Sequence, residues 1–453
     1  MRSRAVLLAV ALGLVSKAAP ADTPEAAPAP SQPSPKRAVP DFDGRGSEPT
    51  TAGDVALWVP RVVLSPLYLV SEYVIRLPLS LAVPAAERAD LPRKVYDFFT
   101  FGPEHKAGFA PVGYYDFGFN PSVGLYAFWN DVGFKGDDWH AHVEAWPSDW
   151  LAGSLTDHIQ IDARHTVQFR VEGIRRPDHV FYGIGPDTRQ SSQSRYGEDA
   201  VNGGAVYEWR FWPASRLETG VGLRAVSLYD GHYGSDPSLT REAATHAFPL
   251  PPGFGGSYTA ESNRAVLIVD TRNPRPAPGS GLRAELFGEQ DSEVGHAPAS
   301  GWVRYGASAG GYLDLNQRGR VVSLSVTTLF TDPLGDRPVP FTELASLGGD
   351  APMRGYYPGR LVDRSAIAAA AHDTWPIGPW LDGTMRAAVG NVFDEHLLGF
   401  RPGRLRFSGD LGISSVGVGD YPIELVFGLG SETFEQGAEI DSFRAALAVN
   451  HGF

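Results

Sequence analysis

Residues Asp137–Trp146 read DDWHAHVEAW, and their alternation decides the fold. On an extended strand, Trp139, Ala141, Val143 and Ala145 share one face, while Asp138, His140, His142 and Glu144 share the other. Such a strand needs an apolar medium on one side and water on the other, which is the situation of a barrel wall in a bilayer. The same period of two recurs outward from it, in VGYYDFGF and VGLYAFWN before it and in DHIQIDA, TVQFRVEG, AVYEWRFW and RAVLIVD after it. It runs on through RVVSLSVTTLF and YPIELVFGLG to SFRAALAVNHGF, where Phe443, Ala445, Leu447, Val449 and Phe453 line one side opposite Arg444 and Asn450. Sixteen such segments follow residue 107. The expected fold is all-β, a 16-stranded antiparallel transmembrane β-barrel over residues 106–453.

The spacing of the segments supports this reading. Connections after even-numbered strands are short, at 132–136, near 164, and at 214–215, 272–280, 314–319, 377–381 and 417–419. Those after odd-numbered strands include long ones, at 175–203, 227–262 and 332–364. A membrane barrel sorts its loops this way, with short periplasmic turns and long outer loops, whereas a soluble sandwich has no reason to.

Composition agrees. The 453 residues include 10 Trp, 17 Tyr and 24 Phe against 3 Met, which suits pleated strands better than a helical core. The absence of cysteine excludes zinc–thiolate sites, Fe–S clusters, thiol nucleophiles and disulfides. A formal charge of −13 argues against a nucleic-acid partner.

The N-terminus reads MRSRAVLLAVALGLVSKAAPADT: a basic start, an apolar stretch and small residues, the pattern of a signal peptide over 1–21. Residues 22–53 are a Pro/Ala-rich linker expected in the periplasm. Residues 54–105 are the helical candidate, amphipathic rather than spanning: one helix starts at Ser65-Pro66 and stops at Pro78, and a second runs through PRKVYDFFTF from Pro92. Two placements remain open for it, docking against the barrel or lodging in the membrane interface near the barrel mouth. The expected location of the whole chain is the bacterial outer membrane.

Nothing in the sequence marks an enzyme. His140, His142 and Glu144 have the residue types of a metal triad, but on a barrel strand they read as lumen-facing polar groups. There is no G-x-S-x-G elbow, no H-E-x-x-H and no P-loop, and no cofactor or metal is expected.

Four stretches carry a family resemblance: LGGDAPMRGYYPGRLVDR at 347–364, DTRNPRPAPGSGLRAEL at 270–286, FYGIGPDT at 181–188, and the terminal Phe453. Together they resemble the bacterial surface antigen superfamily of outer-membrane barrels, the family of BamA and TamA, over roughly 107–453. The resemblance implies sixteen strands, a weak seam between the first and last strand, and a sixth outer loop folded into the lumen. It assigns Gly348, Gly349, Arg354, Gly355 and Tyr356 to the lumen-loop motif. Asp270, Arg272, Asn273, Pro274 and Gly281 form the periplasmic turn motif, and Phe453 the C-terminal assembly signal. Glycines at 108, 113, 118 and 452, of which Gly113, Gly118 and Gly452 are the candidate seam, would weaken pairing between the first strand (109–117) and the last (442–453).

Two departures stand out. The lumen carboxylates that the family sets against the loop arginine are replaced by His372 and Ala388, leaving Asp373, Asp363 or Asp410 as substitute partners for Arg354. Residues 40–105 are also too short and Pro-rich for a POTRA module. The implied work is insertion or translocation of proteins, or lipid handling, through the seam. Implied partners are outer-membrane lipid, unfolded outer-membrane protein clients, and the barrel-assembly machinery for the chain's own insertion. The alternative is a passive pore for small solutes, gated by loop 332–364.

Overall fold

The computed structural model describes residues 91–453, apart from 147–148, 273–278, 296–299, 316, 318, 350–351, 378–380, 416–422 and 450–453. The expected signal peptide, linker and first helix, with Asn273, Pro274, Gly452 and Phe453, therefore lie outside the described residues.

A helix, α1 (Leu91–Phe99), leads into sixteen antiparallel strands. They are β1 (Ala107–Asp116), β2 (Ser122–Trp129), β3 (Asp137–Trp146), β4 (Trp150–Gln160), β5 (His165–Phe181), β6 (Ser194–Trp212), β7 (Ser215–Asp230) and β8 (Ser257–Asp270). The second half comprises β9 (Gly281–Glu293), β10 (Gly301–Asp314), β11 (Val321–Pro333), β12 (Ser365–Pro376), β13 (Leu381–Phe393), β14 (Arg406–Ser415), β15 (Ile423–Thr433) and β16 (Ile440–Val449). Each strand pairs with the next and β16 pairs back to β1, so the sheet closes. The expected barrel is the observed one.

Alternation sets the two faces. On β2, Val123, Leu125 and Trp129 are exposed while Ser122 and Tyr126 are buried; on β3, Trp139 and Val143 point outward while His142 and Glu144 are buried inside. Trp129 and Trp139 are opposite each other across the β2–β3 ladder, beside the end of the barrel that carries the short turns. An apolar outer wall with aromatic rings near its rim is the surface a bilayer accepts.

The loops depart from expectation in length. β5 continues to Phe181 and β6 begins at Ser194, so the long connection expected at 175–203 shrinks to 182–193. The cause is burial: Arg176, Val180, Phe181 and Tyr196 are buried under the outer loops, so the upper ladder loses the alternation that marks a strand in sequence. A bulge between Arg176 and His179 breaks the register there as well. The connection at 227–262 shortens likewise to 231–256, and that at 332–364 to 334–364.

The face assignment generates a direct test. Leu125→Arg on the outer wall should destabilise folding into lipid vesicles by about 2–4 kcal/mol, and His140→Arg on the inner wall by much less, in urea titrations. Equal costs would contradict the assignment.

Candidate functional site: the lumen loop and the seam

The loop between β11 and β12 is held in the barrel at three levels. Nearest β11, Phe341–Glu343 forms a single 3₁₀ turn that buries Glu343. Arg224 of β7 donates to its carboxylate at 2.7 and 2.9 Å, Arg304 of β10 lies 3.0 Å away, and the Tyr258 hydroxyl of β8 donates to it. Burial alone would push this carboxyl up, but the two guanidiniums override it and hold the group below its ordinary value. Next, Ala345–Leu347 pairs with Leu361–Asp363 in a short antiparallel ladder. Gly348 and Gly349, at φ 118° and 80°, turn the chain out of it, a conformation that favours glycine.

The tip of this hairpin is Arg354-Gly355-Tyr356. Arg354 forks onto Glu424 of β15, with both guanidinium–carboxylate distances at 2.7 Å. Gly355 N–H donates to Ser408 Oγ of β14 at 3.0 Å, and its carbonyl accepts from Ser442 Oγ of β16 at 3.0 Å. Tyr356 is fully buried; its hydroxyl lies 2.7 Å from the Ser431 carbonyl and 2.8 Å from that of Phe407, and accepts the Ser431 N–H at 2.8 Å.

Such close seating needs missing side chains. A Cβ on Gly355 would collide with the backbone of Leu429, one on Gly428 would sit 2.7 Å from Gly355 Cα, and one on Gly430 would enter the Tyr356 ring. Gly428 and Gly430 thus form a bare rail on β15 that receives the tip. On the neighbouring wall, Ala366, Ala368, Ala370 and Ala388 are buried against Met353, Tyr356 and Leu361. Small residues there leave room for the loop.

Beside the tip lies the seam. Among the described residues, Gly113–Asp116 pair with Ala446–Val449; on its other side β1 pairs with β2 over 107–114 and 122–129. Arg444 of β16 bridges this junction from inside. Its Nε donates to Asp116 Oδ2 at 2.8 Å, Nη2 to the Tyr114 hydroxyl at 3.2 Å, and Nη1 to the Gly349 carbonyl of the loop. Beyond Asp116 the chain turns into the lumen. Phe119 lies under Arg176 and Arg195, at 5.1 and 5.0 Å, and meets Tyr357 edge-on at 5.0 Å.

With this geometry in place, comparison with known proteins is decisive. A model of the Omp85 superfamily domain matches residues 146–389. The chain belongs to the Omp85 superfamily. Among solved structures it is similar to BamA from Haemophilus ducreyi lacking POTRA domains 1–3, with a TM-score of 0.54 and 13% identity over 76% of this chain and 70% of that one. It is also similar to CdiB from Acinetobacter baumannii (TM-score 0.46, 10% identity, 76% of this chain and 60% of that one). CdiB from Escherichia coli gives a TM-score of 0.47 and 12% identity, over 77% of this chain and 64% of that one. At these identities the likeness is one of fold. No curated protein sequence matches the chain.

Within this Omp85 barrel, the loop arginine forks onto none of the carboxylates expected from the sequence, although Asp410 attracts it through space. Asp373 is held by Arg320 at 2.6 Å, Asp363 accepts the Arg364 N–H at 2.8 Å, and Asp410 lies across the ladder from Arg386. Glu424 does the work instead. It was legible in principle: in Ile423–Gly430 it is the one carboxylate on the face opposite Leu425, Phe427 and Leu429. Gly118 is also reassigned. It lies past the end of β1 at φ 95°, its carbonyl accepting from Arg195 at 2.8 Å, so it belongs to the inward turn and not to the pairing edge; Gly113 is in the seam, opposite Val449.

FYGIGPDT proves to be a second lumen-side anchor. Arg360 donates to Thr188 Oγ1 at 2.8 Å, stacking over the Tyr182 ring at 4.4 Å, and Arg406 donates to the Pro186 carbonyl at 3.1 Å. In the short turn, Arg272 clamps Asp270 through contacts of 2.6–3.1 Å and stacks on Tyr312, while a Cβ on Gly281 would press on Arg272 at 2.9 Å. His142 pairs with Glu144 at 2.8 Å, and among the described residues no group of three or more His, Cys, Asp or Glu could hold a metal.

Two measurements check this site. In a double-mutant cycle, Arg354→Ala and Glu424→Gln should couple by about 1–3 kcal/mol in unfolding free energy, and additive effects would refute the pairing. Asp363, in the loop ladder, has its carboxyl pushed up by burial to about 6. Its ionised form is therefore disfavoured in the folded loop, so the stability it contributes is present in acid and lost as the pH rises from its ordinary 3.8 to about 6. Asp363→Asn should remove that step from the pH profile of the unfolding midpoint between pH 4 and 7.

Proposed function

We propose that this barrel lies in the bacterial outer membrane, its short-turn end toward the periplasm, and assists the insertion or translocation of proteins, or of lipids, through the seam between β1 and β16. The observation that carries the reading is the seam itself: among the described residues its ladder pairs Gly113–Asp116 with Ala446–Val449, and the Arg444–Asp116 bridge backs it from inside. A strand edge with few ladder bonds offers its N–H and C=O groups to an incoming strand. Pro111, in the middle of β1, has no N–H to give to either neighbour, which further limits pairing there. The role involves no covalent chemistry. Membership of the Omp85 superfamily and the likeness of fold to BamA support it. Partners on this reading are outer-membrane lipid, unfolded outer-membrane protein clients, and the assembly machinery that inserts the barrel. The loop seated inside the barrel lends more support to work at the wall than to a solute pore.

Because the chain has no cysteine, Tyr115→Cys with Leu447→Cys creates a reversible staple at two opposed seam positions. Purified barrel in liposomes should accelerate the folding of a urea-unfolded test barrel; oxidation should abolish the acceleration and reduction restore it. Unchanged acceleration with the seam stapled would remove the seam from the mechanism.

A further inference from the structure

The seam edge of β1 is already partly occupied, by the chain itself. Thr100 and Phe101 pair antiparallel with Gly108 and Ala107. The other edge of those two residues is taken by Phe128 and Trp129 of β2. A residue in a sheet has two edges, so Thr100–Phe101 must use the edge on which β16 pairs further along, at Gly113–Asp116. Followed from the short-turn end, that edge meets first the chain's own segment, then Phe109–Val112 with no partner among the described residues, then β16.

The segment is seated by specific contacts. Thr100 Oγ1 donates to the Tyr96 carbonyl in the last turn of α1 at 2.7 Å and lies 2.7 Å from His105 Nδ1. Lys106 Nζ, in the connecting turn, lies 2.9 Å from Asp131. The Phe99 ring meets Phe109 edge-on at 5.9 Å, and a Cβ on Gly108 would lie 2.7 Å from the Phe99 carbonyl, so glycine there allows the approach. Yet the ladder itself is two residues long, and Phe98 and Phe101 remain 76% and 55% exposed. This is enough to blunt an edge and too little to hold it against a longer strand.

We propose that Leu91–Phe101 is a built-in edge cap, which occupies the seam edge of β1 at rest and is displaced by an incoming extended segment. The proposal rests on the seam reading above and adds what guards the edge and what must leave it. The fitting partner is an amphipathic strand with apolar residues at alternate positions, matching the outward Phe109 and Tyr115.

The test uses Phe101→Cys with Ala107→Cys, opposed positions and the sole thiols in the full chain. The probe is a fluorescent synthetic peptide of residues 440–449, added to the protein in lipid nanodiscs. Reduced protein should bind it at least about tenfold more tightly than oxidised protein. Thr100→Pro, which removes an N–H from the cap, should bind at least as well as the reduced form. Equal affinity in the two redox states, or no binding in either, overturns the cap. The liposome assay keeps the two readings apart. Acceleration lost with the 115–447 staple but untouched by the 101–107 staple keeps the seam reading and discards the cap; absent acceleration in wild type discards the seam reading, while the peptide measurement still decides the cap.

Discussion

A closed sheet with an apolar outer face has no water at its wall to satisfy a bare edge, so its last strand must find its first. The rest of this structure depends on how that requirement is met. Fifteen of the sixteen junctions join strands that are consecutive in the chain; closure joins segments more than three hundred residues apart, Gly113–Asp116 with Ala446–Val449 among the described residues. Polar contacts inside the wall reinforce the ladder there. Arg444 binds Asp116 and Tyr114 across the junction and reaches the Gly349 carbonyl in the same fork. Closure and loop seating thus share one guanidinium.

That sharing explains why the lumen loop is anchored so thoroughly. Glu343 ties its start to β7, β8 and β10, Arg354 ties its tip to β15, and Arg360 ties its return to the turn holding Thr188. The anchors lie on different sectors of the wall, so the loop acts as a cross-brace within the barrel. The Glu343 carboxylate is matched by two guanidiniums and the Arg354 guanidinium by a carboxylate, while Arg360 and Arg406 donate to carbonyls of the 186–188 turn.

The sequence and the structure agree most closely where one side chain's environment differs sharply from the next. Trp139, His140, Ala141 and His142 reveal both a strand and its faces, because lipid-facing and lumen-facing positions demand opposite chemistry. The upper parts of β5 and β6 were not legible, since burial on both faces erases that contrast. The loop tip was legible as a motif, but its partner was not, because the resemblance pointed to β12 and β13, where His372 and Ala388 stand, and Ala388 turned out to line the apolar seat of Tyr356. Glu424 could have been found by asking which inward carboxylate of a neighbouring strand was left without a role. The cap of β1 leaves no such trace: two residues form no period, and Thr100–Phe101 becomes a strand only because an edge lies beside it.

The glycine rail on β15 has a consequence for how such a barrel can change over time. Gly355 lies against the Leu429 backbone, and Gly428 and Gly430 lie against Gly355 and Tyr356. A side chain gained on either surface is met by backbone or ring from the other, so neither surface can drift alone. Loop tip and strand are inherited as a unit although some seventy residues of chain separate Arg354 from Glu424. A chimera that grafted this loop onto a relative's wall would carry half of a fitted pair, and recombination within the family is constrained to move both halves together.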